Sequence, residues 1–481
     1  MFLERTNSIN LLLPAGAVVP RGCGRDADEL NRFTVGLCIA AIGIASNVAY
    51  VIPLITATHS VVAMALLLCC VFVIASISVR SRRASAPVWA WSIAGFWPIG
   101  LLGLQAIALI RTMIAEDFLI REAIYFLVML VMLVSVFWRA SRYLYVIGHH
   151  GDYWRYMAWS VIVLCVASLS LKASLGLFTS KFEDDPYSFD PSMSLAMLGI
   201  TSYRTAMPLL SGINTAGLIF GMGACCSAIL ATVAIRMWGK LVFLLVGLAA
   251  MAGLLWVDTR GAIMGVLVVF FYTLLGRQIW IGIVVLLFSG IGLFLSVGNL
   301  EDAANLGREG VDITSSRILI WDVAFDNLFD PKLIHLIGYG AWGQYVSGVS
   351  AGFEGVFRAN ISFEMASLHN ALLQTTFDSG YLGLVFFVAS WYTLIRTAGR
   401  QYTREKNEST ALKLAMAIYI VATGFSEAFA GYSNPSSMFL YVGVLVGFFT
   451  ELTYQREVNS GVTEKRKANF SLASQGRVLN G

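Results

Sequence analysis

An arginine in a tight turn between two apolar segments is the first residue whose surroundings suggest chemistry. Arg260 lies in the sequence Asp258-Thr259-Arg260-Gly261, and long hydrophobic runs flank this turn on both sides. A guanidinium group can donate two parallel hydrogen bonds to one phosphate, which an ammonium group cannot do in the same geometry. Charges at membrane depth are costly and therefore point to function. The alternative is an arginine that pairs with Asp258 or extends towards water.

A histidine and a second arginine follow further along the chain. Neutral His369 can accept a proton from a sugar hydroxyl near pH 7, although a lone histidine is more often structural. Arg317 begins a segment with helical periodicity. On the residue alone, a surface ion pair with Asp312 is the stronger interpretation of Arg317.

Other polar residues lie near the ends of apolar segments. Arg204 precedes one such segment and could anchor it at the interface, and Asn214 lies near its outer end, where a hydrogen bond between helices is the alternative role. Glu427 is either a functional carboxylate or an interfacial side chain. His335 lies among aliphatic residues and is predicted to be a packing residue.

The composition indicates the class of protein that must position these residues. The chain of 481 residues is 57% hydrophobic and 13% charged, with a net charge of +4. Soluble domains carry about 25% charged residues, so an integral membrane protein is predicted. The seven cysteines all lie outside residues 312–380, where neither a disulfide framework nor a metal-binding spacing is expected.

Twelve apolar segments approach the length of a membrane span, which is about 17–25 residues. They are 33–55, 61–79, 88–110, 124–138, 158–177, 209–235, 241–257, 262–275, 279–297, 382–395, 412–428 and 438–452. Most of the 33 lysines and arginines fall in alternate short loops and at both termini, which the positive-inside rule assigns to the cytoplasm. The predicted fold is an all-α integral membrane protein of about 12 transmembrane helices with one large outer loop.

This topology divides the chain into five parts. They are a cytoplasmic segment (1–32) without a cleavable signal peptide, helices one to nine (33–297), the large outer loop (298–381), helices ten to twelve (382–454) and a cytoplasmic tail (455–481).

Two helices are predicted within the large loop. After Ser316, the apolar residues Ile318, Trp321, Phe325 and Leu328 recur at helical spacing, which predicts an amphipathic helix able to lie on the membrane surface. The segment 367–378 is predicted as a helix with Ser367 as its N-cap, His369 in its first turn and Gly380 as its stop signal, and it leads into the tenth span.

Six short motifs occur in order along the second half of the chain. They are Gly212-Ile213-Asn214, Thr259-Arg260-Gly261, Ser316-Arg317-Ile318-Leu319-Ile320-Trp321, Gly338-Tyr339-Gly340, His369-Asn370-Ala371-Leu372-Leu373-Gln374 and Gly380-Tyr381-Leu382-Gly383. Their order, their shared outer side and the large loop before the last three spans resemble the O-antigen ligase and polymerase superfamily of bacterial envelope glycosyltransferases.

The resemblance implies a C-type (GT-C) glycosyltransferase architecture in the bacterial inner membrane, with the large loop in the periplasm. The donor would be an oligosaccharide on undecaprenyl diphosphate. Arg260 and Arg317 would bind the diphosphate, and His369 would deprotonate or orient the acceptor hydroxyl. No metal, nucleotide or other cofactor is implied. Further candidates for substrate contact are Arg204, Asn214, Tyr339, Asn370 and Glu427.

Three functions remain open. The acidic loop favours a polysaccharide repeat-unit polymerase, because a ligase must meet the anionic lipid A core. A ligase to lipid A core is the first alternative. A polysaccharide or lipid-linked oligosaccharide transporter is the second, although the two halves show no internal repeat. Expected partners are the lipid-linked oligosaccharide, membrane lipids and other export or chain-length proteins, and no nucleic acid.

Overall fold

The computed structural model is helical wherever it describes the chain. It describes residues 24–47, 59–80, 93–175, 192–275 (except 197, 201, 203, 206 and 211), 317–356, 367–429 and 436–454. Within these ranges, eight helices are long and apolar enough to cross a membrane, and no strand occurs. The prediction of an α-helical, multi-pass membrane protein is confirmed. The predicted span 279–297, the start of the large loop, the N-terminal segment before residue 24 and the tail 455–481 lie outside the described residues.

The helices are named here in chain order. They are α1 (Gly24–Asn47), α2 (His59–Arg80), α3 (Ile93–Ala115), α4 (Ile120–Val146), α5 (His150–Leu175), α6 (Met193–Ala196), α7 (Ile213–Val233), α8 (Met237–Val257), α9 (Arg260–Leu275), α10 (Arg317–Phe329), α11 (Ile334–Ile337), α12 (Gly343–Val346), α13 (Ala371–Glu405), α14 (Glu408–Gly424) and α15 (Ser436–Tyr454).

Helix α7 lies at the centre of the bundle. Of its most apolar window, 78% is buried within the protein, compared with 22% for α8. Small residues allow its neighbours to approach closely: Gly217 faces the side chain of Thr259, and Gly253 of α8 faces the ring of Phe220. Membrane helices associate through such small residues, because apolar side chains gain nothing by leaving lipid. Helix α7 thereby supports the turn that carries Arg260.

Helix α13 corrects two expectations about the segment around His369 and confirms a third. The N-cap is Asn370, whose side chain accepts hydrogen bonds from the backbone N–H groups of Leu372 and Leu373, and not Ser367. His369 therefore precedes the helix and does not lie in its first turn. Gly380 ends the first part of α13, as predicted, because its φ of 71° lies outside the helical region. After this kink, the second part of α13 continues to Glu405.

The loop segment after α11 passes directly over this kink. Gly338 and Gly380 are in contact, since a Cβ atom on either would overlap the backbone of the other. The backbone N–H groups of Tyr339 and Gly340 donate to the carbonyls of Phe377 and Asp378, at 2.7 Å and 3.1 Å. The two glycine-rich motifs of the sequence therefore form one crossing point.

The apolar stripe of α10 faces the protein and not the membrane. Ile320 and Leu328 are buried in a small cluster with Phe353 and Phe377, and Trp321 is partly buried against it. The predicted surface helix exists with nearly its expected bounds, but its stripe packs on the loop and on α13. Apolar periodicity identifies a face that avoids water and does not distinguish lipid from protein.

Ion pairs hold the N-terminal end of α14 in place. Lys413 is buried and its Nζ lies 2.6 Å from Glu451 Oε1, which also accepts from Gln401 Nε2 at 2.6 Å. Arg155 of α5 donates two hydrogen bonds to Glu408, at 2.7 Å and 3.0 Å. The start of α14 is therefore fixed to α5, α13 and α15.

We expect Gly380→Ala to destabilise the protein, by about 1–3 kcal/mol. The added methyl group would overlap the carbonyl of Leu336, and φ 71° is unfavourable for alanine. Thermal unfolding in detergent measures the effect. Gly103→Ala in α3 is the matched control, because no heavy atom lies within 4 Å of its Cβ position. Equal melting temperatures for the two variants would contradict the crossing.

Candidate functional site

A buried carboxylate joins the two principal loop candidates of the sequence. Glu427 follows α14 and is 3% exposed. Its Oε1 atom lies 2.5 Å from Arg317 Nη2, and its Oε2 atom lies 3.3 Å from His369 Nδ1. Arg317 and His369 are each about one-fifth exposed, so both can be reached from outside. These residues are called the Arg–Glu–His cluster below.

Glu427 is ionised at neutral pH in this setting. Burial alone would raise the pKa of its carboxyl group, but the charge of Arg317 and the hydrogen bond from His369 outweigh burial and lower the pKa below its ordinary value. An ionised carboxylate only accepts hydrogen bonds. The contact with Glu427 therefore requires the proton on Nδ1 of His369 and places the lone pair of the neutral ring on Nε2.

The backbone of His369 is held in an uncommon conformation. Its φ is 49°, in the left-handed region that few non-glycine residues occupy. On one side, Trp321 Nε1 donates to the carbonyl of Leu368 at 2.9 Å, and Gln374 Oε1 accepts from the N–H of Leu368 at 3.2 Å. On the other side, Asn370 caps α13. Strained residues persist where their surroundings fix them, as at functional sites.

The same contacts tie the three parts of the cluster together. Trp321 belongs to the helix that begins at Arg317, so its hydrogen bond links α10 to the His369 segment. Asn370 Nδ2 donates to the carbonyl of Phe425 at 3.1 Å, two residues before Glu427. Asn370 therefore acts here as a cap and a tether.

Arg260 begins α9 beside the cluster. The next residue, Gly261, is so close to Ser426 that a Cβ atom would overlap the serine hydroxyl, and that Cβ position lies 3.9 Å from Glu427 Cγ. The N-terminus of α9 thus adjoins the carboxylate. Arg260 itself is partly buried. The structure brings this turn and the Arg–Glu–His cluster into one region, as the shared outer side of the motifs predicts.

Arg204 and Asn214 belong to the support of this turn. Arg204 is nearly buried, and its Nε donates to the carbonyl of Val257 at 3.1 Å, at the end of α8. Asn214 is partly buried in the first turn of α7, next to Ile213, whose carbonyl accepts from Thr259 Oγ1 at 3.2 Å. Both lie next to the Asp258–Gly261 turn, and Arg204 contacts its backbone.

Tyr339 takes part in packing and not in the cluster. Its hydroxyl lies 2.8 Å from His335 Nε2, and its ring stacks on Phe377 with centroids 6.0 Å apart. His335 is buried, in agreement with its predicted role. These contacts support the loop around its crossing with α13.

The sequence analysis missed the role of two buried polar side chains. Gln374 accepts from Leu368 N–H and donates to Asp378 Oδ1 at 3.0 Å. Asp378 Oδ1 also accepts from the N–H of Gly343 at 2.8 Å. The available signal was the i, i+4 spacing of these two residues before Gly380, which puts both on one face of the helix.

Comparison with known proteins adds no family assignment. No protein-family model matches the sequence, and a search of curated proteins finds no match.

The arrangement provides an anion-binding side and a proton acceptor in one place. Arg317 and Arg260 carry fixed positive charge, and Arg317 is partly accessible. The Nε2 atom of His369 can accept a proton while Glu427 stabilises the resulting imidazolium. Such a site can bind a phosphorylated group and deprotonate a hydroxyl next to it.

The lowered pKa of Glu427 predicts a loss of stability in acid. A carboxyl whose pKa is lower in the folded state stabilises the fold above the ordinary glutamate value, about 4.3, and ceases to do so as the pH falls through the lowered value. We therefore expect the wild type to lose its advantage in melting temperature over Glu427→Gln progressively as the pH falls below about 4.3. The measurement is thermal unfolding in detergent on both sides of this pH. A constant difference between the two proteins would contradict this role.

Proposed function

We propose that this protein is a membrane glycosyltransferase that transfers a glycan from a polyprenyl diphosphate carrier to a hydroxyl of an acceptor glycan. The observation that carries the proposal is the contact of Glu427 with both Arg317 and His369, with the Arg260 turn beside it. The resemblance of the motifs supports the same reaction and specifies undecaprenyl diphosphate as the carrier.

His369 is the proposed proton acceptor. The acceptor hydroxyl oxygen attacks the anomeric carbon of the donor sugar and forms the new C–O bond, while its proton moves to Nε2 of His369. The bond between the anomeric carbon and the diphosphate oxygen breaks, and the diphosphate leaves with the electron pair. Attack opposite the leaving group inverts the anomeric configuration. Glu427 orients the imidazole and stabilises its positive charge.

Arg317 and Arg260 are proposed to bind the departing diphosphate. Negative charge grows on its oxygens as the glycosidic bond breaks, and prepositioned cations stabilise that charge without further reorganisation. Arg317 is paired with Glu427, so a diphosphate would compete with the carboxylate for the same guanidinium. An inverting transfer of this kind uses the carrier diphosphate as its leaving group and requires no nucleotide.

The proposed topology places the site on the periplasmic side of a bacterial inner membrane. We propose twelve spans in a GT-C-type arrangement, with both termini in the cytoplasm and the loop 298–381 outside. The basic residues Arg32 and Arg155 and the ion pair of Lys413 lie at the opposite end of the bundle from Glu427. Their position supports this orientation under the positive-inside rule.

Within this class, a repeat-unit polymerase is the preferred activity. The acceptor of a ligase is the lipid A core, whose phosphates favour a basic surface. The described surface of α10 instead presents Asp322 and Asp326, and Asp330 is exposed directly after the helix. A neutral or modestly charged lipid-linked repeat unit suits this surface better.

The product of a deletion strain tests the proposal. We expect loss of high-mass polymer with single lipid-linked repeat units still made, and restoration by the wild-type gene. Arg260→Lys should fail to restore it, because a lysine keeps the charge but cannot donate two parallel hydrogen bonds to one phosphate. Polymer that accumulates on the carrier without reaching lipid A core would indicate a ligase. Unchanged glycan with blocked export would indicate a transporter and would overturn the transferase proposal.

A further inference from the structure

The end of α10 and the short helix α11 leave four large apolar side chains uncovered. Phe329 and Leu333 are 80% and 88% exposed, and Leu336 and Ile337 are about half exposed. Leu333, Leu336 and Ile337 lie at positions i, i+3 and i+4, so they cover one side of this turn. His335 points to the other side and is buried. We call the four apolar residues the α11 patch. A contiguous exposed apolar patch marks a site of contact with protein or membrane.

The α11 patch continues the exposed side of α13. Leu336 contacts the α13 kink at Gly380, where an added Cβ atom would overlap its carbonyl. Directly after the kink, Tyr381, Val385 and Val388 are exposed and recur at positions i, i+4 and i+7. A membrane-spanning helix exposes such a stripe to lipid chains. The patch therefore begins at the end of a lipid-facing stripe.

A second span borders the patch on its other side. Arg111, near the end of α3, donates from Nη1 to the carbonyl of Ile337 at 2.8 Å. On the same helix Ile107, Ile110 and Ile114 are exposed at positions i, i+3 and i+7. Helix α11 thus contacts both α3 and α13, and each of these helices exposes a stripe of apolar side chains.

The rim of the patch carries the residue types found at the level of lipid headgroups. Lys332 is about half exposed beside Leu333 and lies 3.2 Å from Asp330. Tyr381 points its hydroxyl to the carbonyl of Leu328 at 3.2 Å. Lysine, arginine and tyrosine side chains place their apolar parts in the leaflet and their polar ends at the phosphates.

We infer that the α11 patch is inserted among lipid acyl chains in the leaflet on the side of the Arg–Glu–His cluster. The inference concerns membrane contact and does not depend on the proposed function. Its consequence for the site follows from α10, whose 13 residues span about 20 Å at about 1.5 Å per residue. One end of this rigid helix is anchored in the leaflet by Phe329, and the other end carries Arg317. The anchor therefore sets the distance of Arg317 from the membrane.

Photo-cross-linking in vesicles of phosphatidylethanolamine and phosphatidylglycerol tests this contact. The full-length protein carries p-benzoylphenylalanine at position 333 or, as a second variant, at position 336. The matched controls carry it at Asp322 or Asp326, on the exposed polar side of the same loop. After irradiation, mass spectrometry should find phospholipid adducts at 333 and 336 and none at 322 and 326.

Three results would overturn the inference. A cross-link from position 333 to another segment of this chain would show that the chain covers its own patch. A cross-linked dimer would show that a second copy covers it. Equal lipid adducts at all four positions would show contact without insertion. The thermal stability of each variant in detergent establishes that it is folded before irradiation.

Discussion

His369→Asn is expected to reduce polymer formation by about 100- to 10,000-fold, the usual contribution of a positioned proton acceptor. Asparagine is chosen because it tolerates the left-handed backbone of His369 better than most residues and can still donate to Glu427. The fold and the ion pair of Arg317 with Glu427 should therefore remain. The measurement is the rate of chain extension by purified protein on a defined lipid diphosphate glycan.

The control for this variant is His149→Asn, a similar change at the opposite end of the bundle. His149 is partly exposed and lies near Arg32 and Asp152, far along the chain from the cluster. It should leave the extension rate unchanged, while both variants should melt near the wild-type temperature. Full activity of His369→Asn would remove His369 from the reaction, and an unfolded His369→Asn would call for the same assay on His369→Gln.

The second large effect is expected from Glu427→Gln, which we predict lowers the extension rate by about 100-fold, the cost of a small misplacement of a reacting group. Glutamine can donate to Nδ1 of His369 as well as accept from it. It therefore admits the tautomer with the lone pair on Nδ1. In that tautomer Nε2 carries a proton and cannot accept one from the acceptor hydroxyl. Nitrogen-15 spectra of the labelled imidazole, assigned with His369→Asn, should show a mixture of tautomers in the variant and one in the wild type.

A double-mutant cycle separates this role from simple support of the fold. Glu427→Gln leaves Arg317 without its carboxylate, and Arg317→Gln leaves Glu427 buried without its cation. The double variant removes both charges, so its loss of stability should be smaller than the sum of the single losses, with a coupling of about 0.5–3 kcal/mol. Additive losses would contradict a coupled pair.

The ion pair of Arg155 and Glu408 supplies the matched cycle. It joins the same residue types with two hydrogen bonds, but Arg155 is about half exposed. Its coupling should lie in the range of exposed pairs, about 0.2–1 kcal/mol. Its variants should leave chain extension unchanged, because they lie at the other end of α14.

The sequence predicted the candidate site residues, but it did not predict the contacts between them. Residue type and position near the ends of apolar segments drew attention to Arg260 and Glu427, whereas the resemblance of the motifs favoured Arg317 and His369. The structure places Arg317, His369 and Glu427 in contact and the turn of Arg260 beside them. The bond of Arg317 to Glu427 crosses 110 positions. No local pattern encodes such a contact, because it depends on how α10 and α14 pack.

The boundaries and caps of the helices were also only partly predictable from the sequence. The apolar run 382–395 identified the span that follows the Gly380 kink, but the helix continues to Glu405, since polar residues extend a helix beyond its apolar core. Ser367 resembled a cap, yet Asn370 supplies it, and both residue types are good caps. The apolar stripe of α10 was predicted correctly, but it packs against the protein and not against the membrane surface.

Glu427 follows the C-terminal end of α14, and ion pairs hold the N-terminal end of this helix in place. The ion pairs Lys413–Glu451 and Arg155–Glu408 hold the first turns of α14 in place. At the other end, the backbone N–H of Glu427 donates to the carbonyl of Thr423 at 2.9 Å, so the carboxylate is attached to the end of the helix. The two side chains that hold it, Arg317 and His369, come from the loop. The carboxylate is thus the part of the site that the helix bundle holds. Under the proposed function, a bulky lipid carrier would exchange by a shift of the loop around it. Under the proposed function, variants that loosen the loop are expected to change the rate at which the lipid carrier enters the site.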